Sequence, residues 1–507
     1  MKTLNAKRWL GLSALLGSLL VVAGCSLAPT YTKPDVSAPA AFKETPQETA
    51  LAPSEQGTWK TAQPSEQALR GEWWTVFNDP TLNDLEHQAL EANQNLKAAA
   101  ARVKESRAIN QTARAGLFPT LDAGFGPTRE KLSPASQFLP ANANVPSQTL
   151  WRAEGSASYE VDLFGRVSDS VKAANADTEQ SEALFRSVQL ALQADVAQNY
   201  FNLRELDSEN DVYTRTVTLR EQALKLVQNR FNEGEISELD VAQARSELAT
   251  AKSDAMTVQR LRAASEHSLA VLLGKSASQF SMAANPLQPV DIKIPPGLPS
   301  SLLERRPDIA AAERAMAAAN SRIGVAKSAF FPSLNITGSG GFESATLGDL
   351  FNWSSRTFLL GPFAGTALSL PIFDGGRRKG NLANARAIYE EDVANYRQQV
   401  LVAFQEVEDN LSDLRILQDQ TRTQAEAVSA SSRAAQLSRS QYTEGAVNYL
   451  DVIDAERTVL QSQRAAVQLA GVQATSTVNL IRALGGGWGD MPAAPAMPAS
   501  GASVASR

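Results

Sequence analysis

Residues 165 to 274 and 376 to 485 lie over each other without a gap at a constant offset of 211. Arg166 meets Arg377, Ala174 meets Ala385, Val196 meets Val407, Asn199 meets Asn410 and Leu203 meets Leu414. The match continues through Gly234 and Gly445, Asp240 and Asp451, Ala244 and Ala455, to Gly274 and Gly485. Upstream the offset is 213, where Gly116-Leu-Phe-Pro-Thr-Leu121 answers Ala329-Phe-Phe-Pro-Ser-Leu334, so a two-residue slip falls between, in strand or loop. A period this long exceeds the roughly 20–50 residues of solenoid units and reads as duplication of a whole structural unit. A chain of 507 residues could hold several domains on length alone, but the duplication predicts two intertwined copies instead.

Lys2, Lys7 and Arg8 precede an apolar run from Trp9 to Val22 and then Val22-Ala-Gly-Cys25, a secretory signal over 1–24 that ends in a lipobox. Cys25 is the only cysteine, so no internal disulfide can form. The plain alternative is a free thiol. The lipobox instead predicts cleavage before Cys25 and acylation with a diacylglycerol and an N-acyl chain, the only covalent group expected; no other cofactor and no metal is called for. By resemblance to bacterial lipoproteins, Ser26 favours the outer membrane. Residues 25–70, rich in Pro, Ala, Thr and Gln, predict an extended lipidated tether, and 491–507 a disordered tail. With 48 basic against 54 acidic side chains, nucleic acid is not an expected partner.

Asp79-Pro80 gives the N-cap and N1 of a first helix predicted to run to about Ala115. Four segments alternate with period two. The cleanest runs from Trp151 to Leu163, with Trp151, Ala153, Ala157, Tyr159 and Val161 on one face and Arg152, Glu154, Glu160 and Asp162 on the other. Leu117 to Phe125, Pro332 to Thr337 and Phe358 to Phe373 complete two strand pairs, about 117–164 and 330–373. A soluble sandwich alternates in the same way. Two separated pairs on a lipobox chain favour a membrane barrel, whose lumen Arg152, Glu154, Glu160 and Asp162 would line. Four strands are too few to close one, so the pore is expected to be shared between chains.

The rest is helix. From about Arg166 to Phe231 a 3-4 stripe includes Val196, Leu203, Tyr213, Arg220, Leu224 and Val227, a coiled-coil spacing with polar interruptions. It reverses at Glu233-Gly-Glu-Ile-Ser237 and returns to about Gly274; the second copy repeats this through Glu444-Gly-Ala-Val-Asn448. The organisation expected is a first repeat over 71–285 and a second over 286–490.

Trp73-Trp74-x-x-Phe77-x-Asp79-Pro80, Phe118-Pro119, Phe331-Pro332, Ile372-Phe-Asp-Gly-Gly376 and Ala483-Leu-Gly-Gly-Gly-Trp488 together resemble the TolC and OprM type of outer-membrane efflux channel, in its lipoprotein branch. The resemblance implies a mostly α fold with a small transmembrane β part: long coiled-coil hairpins forming a periplasmic tunnel, and four strands per chain in a shared twelve-stranded trimeric β-barrel. It implies a homotrimer in outer-membrane lipid and a periplasmic adaptor docked at the helix tips around Gly234 and Gly445. An inner-membrane transporter of the RND type would supply energy, with no catalysis in the channel itself.

Tyr442-Thr-Glu-Gly445 and Asp451-Val-Ile-Asp454 look like the family's periplasmic gate, with Asp451 and Asp454 near the axis and Asp240 resembling an acceptor for Tyr442. Helix capping is the competing reading of Asp240 and Asp451, since Ser237 and Asn448 stand three residues before them. A solvated helix face would explain Asp454, and plain packing Tyr442. The sequence departs from the TolC pattern at Val447, where that branch has a basic residue in the lock.

Only His87 and His267 occur, without HExxH or GxSxG, and Gly274-Lys275-Ser276 lacks the upstream glycine of a phosphate loop, so an enzyme is not expected. A periplasmic adaptor lipoprotein is the alternative, although it would carry one hairpin, not two.

Overall fold

The computed structural model describes residues 26–35, 39, 41–44, 72–290, 292, 305–360 and 368–486. The signal over 1–24, Cys25, most of the tether, residues 361–367 of the fourth alternating segment, Trp488 and the tail over 491–507 lie outside the described residues. The chain divides into two compact units, one of Met1–Asp35, Arg102–Glu182 and Ala311–Tyr396, the other of Val36–Ala101, Ala183–Ala310 and Arg397–Arg507.

In the second unit, Asp79 caps α1 (Pro80–Ala92), accepting from the amides of Thr81 and Leu82. The helix does not run unbroken to Ala115 as expected. It stops at Asn93, whose side chain accepts from the Leu96 amide at 3.0 Å and donates to the Leu272 carbonyl at 2.9 Å, starting α2 (Gln94–Ala115) as a separate helix. An asparagine offers the backbone a side-chain partner in place of the next helical bond, so the axis can break there without glycine or proline. Trp73, Trp74, Leu82, Leu85 and Ala89 pack with Tyr200, Leu203, Leu269, Val478 and Ile481 in the main core. Burying Trp74 alone is worth on the order of 4–6 kcal/mol.

The first unit holds the sheet: β1 (Thr120–Glu130), β2 (Gln148–Val161), then, beyond the helices below, β3 (Ser333–Ser344), β4 (Arg356–Leu360) and β5 (Leu368–Ser369). All pairings are antiparallel in the order β1-β2-β3-β4, with β5 also on β3. The two strand pairs are therefore not separate hairpins. β2 zips to β3 from Trp151↔Ser344 to Val161↔Leu334 and makes one sheet. The fourth segment, expected as one strand, appears among the described residues as β4 and β5, with a register on β3 that steps by four residues between Gly338↔Leu360 and Leu334↔Leu368.

Each copy also repeats its helices. α3 (Arg166–Asn232) and α6 (Arg377–Thr443) are both 67 residues, and α4 (Glu238–Leu272) and α7 (Tyr449–Ala483) both 35, at the offset of 211. Likewise α2 and α5 (Pro307–Ser328) are both 22 residues, offset by 213. At 1.5 Å per residue α3 and α6 each measure about 100 Å.

Candidate functional site: a two-faced sheet and the hairpin tips

The register carries one face straight across the sheet. Leu121 lies opposite Ala157, which lies opposite Gly338; Phe125 opposite Ala153, which lies opposite Phe342; Tyr159 opposite Ile336; and Gly340 opposite Phe358. On the other face Asp122, Arg152, Glu154, Ser156, Ser158, Asn335, Thr337, Ser339 and Glu343 form a polar surface by the same pairings. The apolar face is bare: Leu121 is 80 % and Phe358 77 % exposed. A soluble sandwich would cover it, so that reading is set aside. No described helix is long and apolar enough to cross a membrane. Among the described residues β1 on one side and β4 with β5 on the other have a neighbour on one edge only, and such open edges need a further strand.

The polar-face residues differ in what they do. Arg152 donates to Glu343 at 2.6 Å and to Glu130 at 3.2 Å, tying three strands, and Glu154 stands half-buried beside it. Glu160 takes the Arg166 guanidinium at 2.6 Å. Asp162 lies past the end of β2, not in the strand, and accepts the amides of Val167 and Ser168 at 3.0 and 2.7 Å. Its carboxylate is spent on the free amides at the start of α3, where the helix dipole favours negative charge.

In the second unit, the two hairpins turn at Gly234 (φ 80°) and Gly445 (φ 76°). The Glu235 amide reaches back to the Arg230 carbonyl at 2.9 Å, and the Ala446 amide to the Gln441 carbonyl at 2.8 Å. This left-handed ending satisfies the orphan carbonyls of α3 and α6, and only glycine takes it without strain. Asp240 accepts from the Ser237 amide at 3.2 Å and hydroxyl at 3.1 Å, and Asp451 from the Asn448 amide at 3.1 Å, so both aspartates do cap their helices. Asp454, one turn further on, is exposed, and its carboxylate accepts no hydrogen bond among the described residues.

Tyr442 is buried among Val227, Val241, Ala244, Tyr449, Val452 and Ile453. Among the described residues its hydroxyl finds no acceptor, and the Asp240 carboxylate accepts from Ser237 instead. Burial pushes the tyrosine up, Arg230 opposes this and the charge of Asp240 adds to it, so the aspartate is close enough to be felt though not bonded. The Arg230 guanidinium lies 5.0 Å over the Tyr442 ring and donates to the Tyr442 carbonyl at 3.4 Å. A cation thus sits on Tyr442 although Val447 supplies none; it comes from the first copy.

Sequence reading also missed the group behind the tips. Glu247 on α4 accepts from Arg220 on α3, and from Arg457 on α7 through Nε at 3.1 Å as well as through its second nitrogen. One carboxylate so joins both hairpins. Arg220 stood in the apolar stripe, and an arginine there is itself a signal that a carboxylate must come to meet it. The repeat carries a second signal: the counterparts of Arg220 and Glu247 are Ser431 and Thr458.

A sheet with one bare apolar face, one polar face and two open edges, in a chain that also carries two hairpins with long arms of about 100 Å, has the pattern of a membrane-channel subunit. The chain belongs to the outer membrane efflux protein family, whose model matches residues 85–275 and 298–486. It is 34% identical over 476 residues to the toluene efflux pump outer membrane protein TtgF of Pseudomonas putida, covering 94% of this chain and 97% of that one. It is 33% identical over 473 residues to the cation efflux system protein CusC of Escherichia coli, covering 92% and 97%. The outer-membrane channel OprN superposes with a TM-score of 0.81 at 28% identity, covering 92% of this chain and 100% of that one. These comparisons support the outer-membrane channel and lend nothing to the adaptor alternative.

Proposed function

We propose that three copies of this chain pool their strands into a twelve-stranded barrel and their hairpins into a periplasmic tunnel, making a passive exit duct. An adaptor would grip the tips around Gly234 and Gly445, and an inner-membrane transporter of the RND type would drive the cargo. The observation that carries this reading is the single sheet with a bare apolar face, a polar face and two unpaired edges: lipid covers the first, water the second, and neighbouring copies the third. An acyl group on Cys25 would add a second attachment to the outer membrane. The duct carries no chemistry of its own, in keeping with a sequence that lacks hydrolase and metalloprotease motifs.

The relatives named for toluene and for cations suggest that cargo is set by the pump and not by this chain. Asp454 and Asp451 would ring the entrance and draw cations, with Tyr442 and Asp240 holding the tip closed; a buried Tyr442 hydroxyl without an acceptor, within reach of the Asp240 charge, supports Asp240 as the acceptor it would take up. The test is single-channel recording in planar bilayers. Asp454→Ala with Asp451→Ala should raise conductance and weaken block by multivalent cations, and unchanged conductance and block would take both residues out of the gate. The parent protein should also run as a heat-modifiable trimer; a monomer at every detergent concentration would refute the shared barrel.

A further inference from the structure

The residues that follow Cys25 are seated on the first unit. The Ser26 hydroxyl donates to the Asp169 carboxylate, its oxygen 2.7 and 2.9 Å from the two carboxylate oxygens. Asp169 is 0 % exposed, and its other side-chain partner is Lys172 at 2.9 Å. A carboxylate withdrawn from water to that degree needs a donor. The opposite wall is Gly324 on α5, where an added Cβ would lie 2.2 Å from Asp169 Oδ2 and 2.8 Å from the Ala28 Cβ. The strap then passes along α5: Asn320 donates to the Pro29 carbonyl at 2.9 Å, and Tyr31 donates to Glu313 at 2.5 Å. From Gly324 to Glu313 is about 16 Å of helix at 1.5 Å per residue. The strap runs away from the C-terminal end of α5, which leads into β3, so Ser26 is its sheet-proximal end.

Duplication supplies an internal control. At the offsets of 211 and 213 the counterparts of Asp169 and Gly324 are Gly380 and Gln111. Gly380 has nothing within 4 Å of an added Cβ. The second copy therefore has neither the acceptor nor a facing wall at the corresponding position, and the one seat matches the one N-terminal strap per chain.

We infer that Asp169 and Gly324 form a seat for the small hydroxyl residue after Cys25, and that this seat fixes the acylated end at the foot of the strands, so that lipid and sheet meet the same membrane surface. The inference rests on the acylation proposed above. Asp169 and Gly324 are positioning residues for the anchor and are distinct from the gate residues named above.

The test uses the full chain with Thr30→Cys, an exposed strap position, reacted with a thiol-specific nitroxide. If Cys25 is acylated, each chain takes one label, and its spectrum is immobilised. Asp169→Ala and Gly324→Ala should each raise the mobile-to-immobile ratio about ten- to hundredfold, the worth of one hydrogen bond to a charged group. Asp169→Asn, which keeps the shape and one acceptor, should fall between. Gly324→Ala should not lower helix content, since alanine is the better helix former. A spectrum already mobile in the parent, or immobile in every variant, overturns the seat. Two labels per chain overturn the acylation on which the inference rests.

Discussion

Glu247→Gln removes the carboxylate shared by Arg220 and Arg457 behind the hairpin tips. The two arginines sit in different surroundings: the Arg220 side chain is 6 % exposed against 10 % for Glu247, whereas Arg457 is 59 % exposed. Leaving a buried partner uncompensated costs about 3–5 kcal/mol, while an exposed pair is worth about 0–1 kcal/mol. Glu247→Gln and Arg220→Ala should therefore each destabilise the helices by about 3–5 kcal/mol, and Arg457→Ala by less than about 1 kcal/mol. Replacing both buried members by methionine should recover most of the loss, because no charge is then left without a partner. The assay is urea unfolding of the purified protein in detergent, followed by helical circular dichroism. Equal costs for Arg457→Ala and Arg220→Ala, or a double replacement that costs the sum of its parts, would refute the assignment of burial as the cause.

The same carboxylate makes a pH prediction. Burial pushes Glu247 up, but the guanidinium groups of Arg457 and Arg220 outweigh it and hold it below its ordinary 4.5. Its stabilisation is complete above that value and should disappear as the pH falls below it, with no such acid loss in Glu247→Gln. Glu86 has the opposite sign. Both its oxygens are buried without a partner, and burial pushes it up to about 9 from 4.5. Above 4.5 the unfolded chain ionises and the folded one does not, which costs about 3 kcal/mol by pH 7. Glu86→Gln should raise the melting midpoint at pH 7 to 8 and leave it unchanged near pH 4; a pH-independent difference would show that the carboxyl finds a partner in the assembled protein. Finally, Gly445→Ala should lower the urea midpoint by an amount equal to about 1–2 kcal/mol, with Gly445→Asn less costly, because φ is 76° and nothing crowds the site.

What could be read from the residues alone was whatever depends on neighbours in the chain. The hairpin ends followed from Gly234 and Gly445, and the caps from Ser237 to Asp240 and Asn448 to Asp451, because a turn or a cap is settled within a few residues. The break at Asn93 was missed: asparagine there carries no mark that separates a capping amide from an exposed helical one until Leu272 is seen to receive it. The pairing of β2 with β3 was likewise hidden, since strands about 170 residues apart share no local signal. Arg220 was visible as an intrusion in the apolar stripe, but its partner lies on the returning helix, 27 residues on. Arg230 reaches the same tyrosine from the other copy, 212 residues away, where no local pattern marks it. Ser26 and Asp169 are 143 residues apart, and only the failed repeat match at Gly380 hinted that position 169 had acquired a separate task.

The matched helices, 67 with 67 and 35 with 35, imply a rule about which changes of length such a gene can keep. One residue inserted into α3 would swing everything beyond it by about 100° and advance it by 1.5 Å, carrying Arg220 away from Glu247 while the other hairpin stayed in phase. Single insertions or deletions in either long helix should be purged, and growth should come only as paired, turn-sized additions to both. The two-residue slip between the copies obeys this: it lies between the first strand of each copy and the long helix that follows, where a loop can absorb the excess.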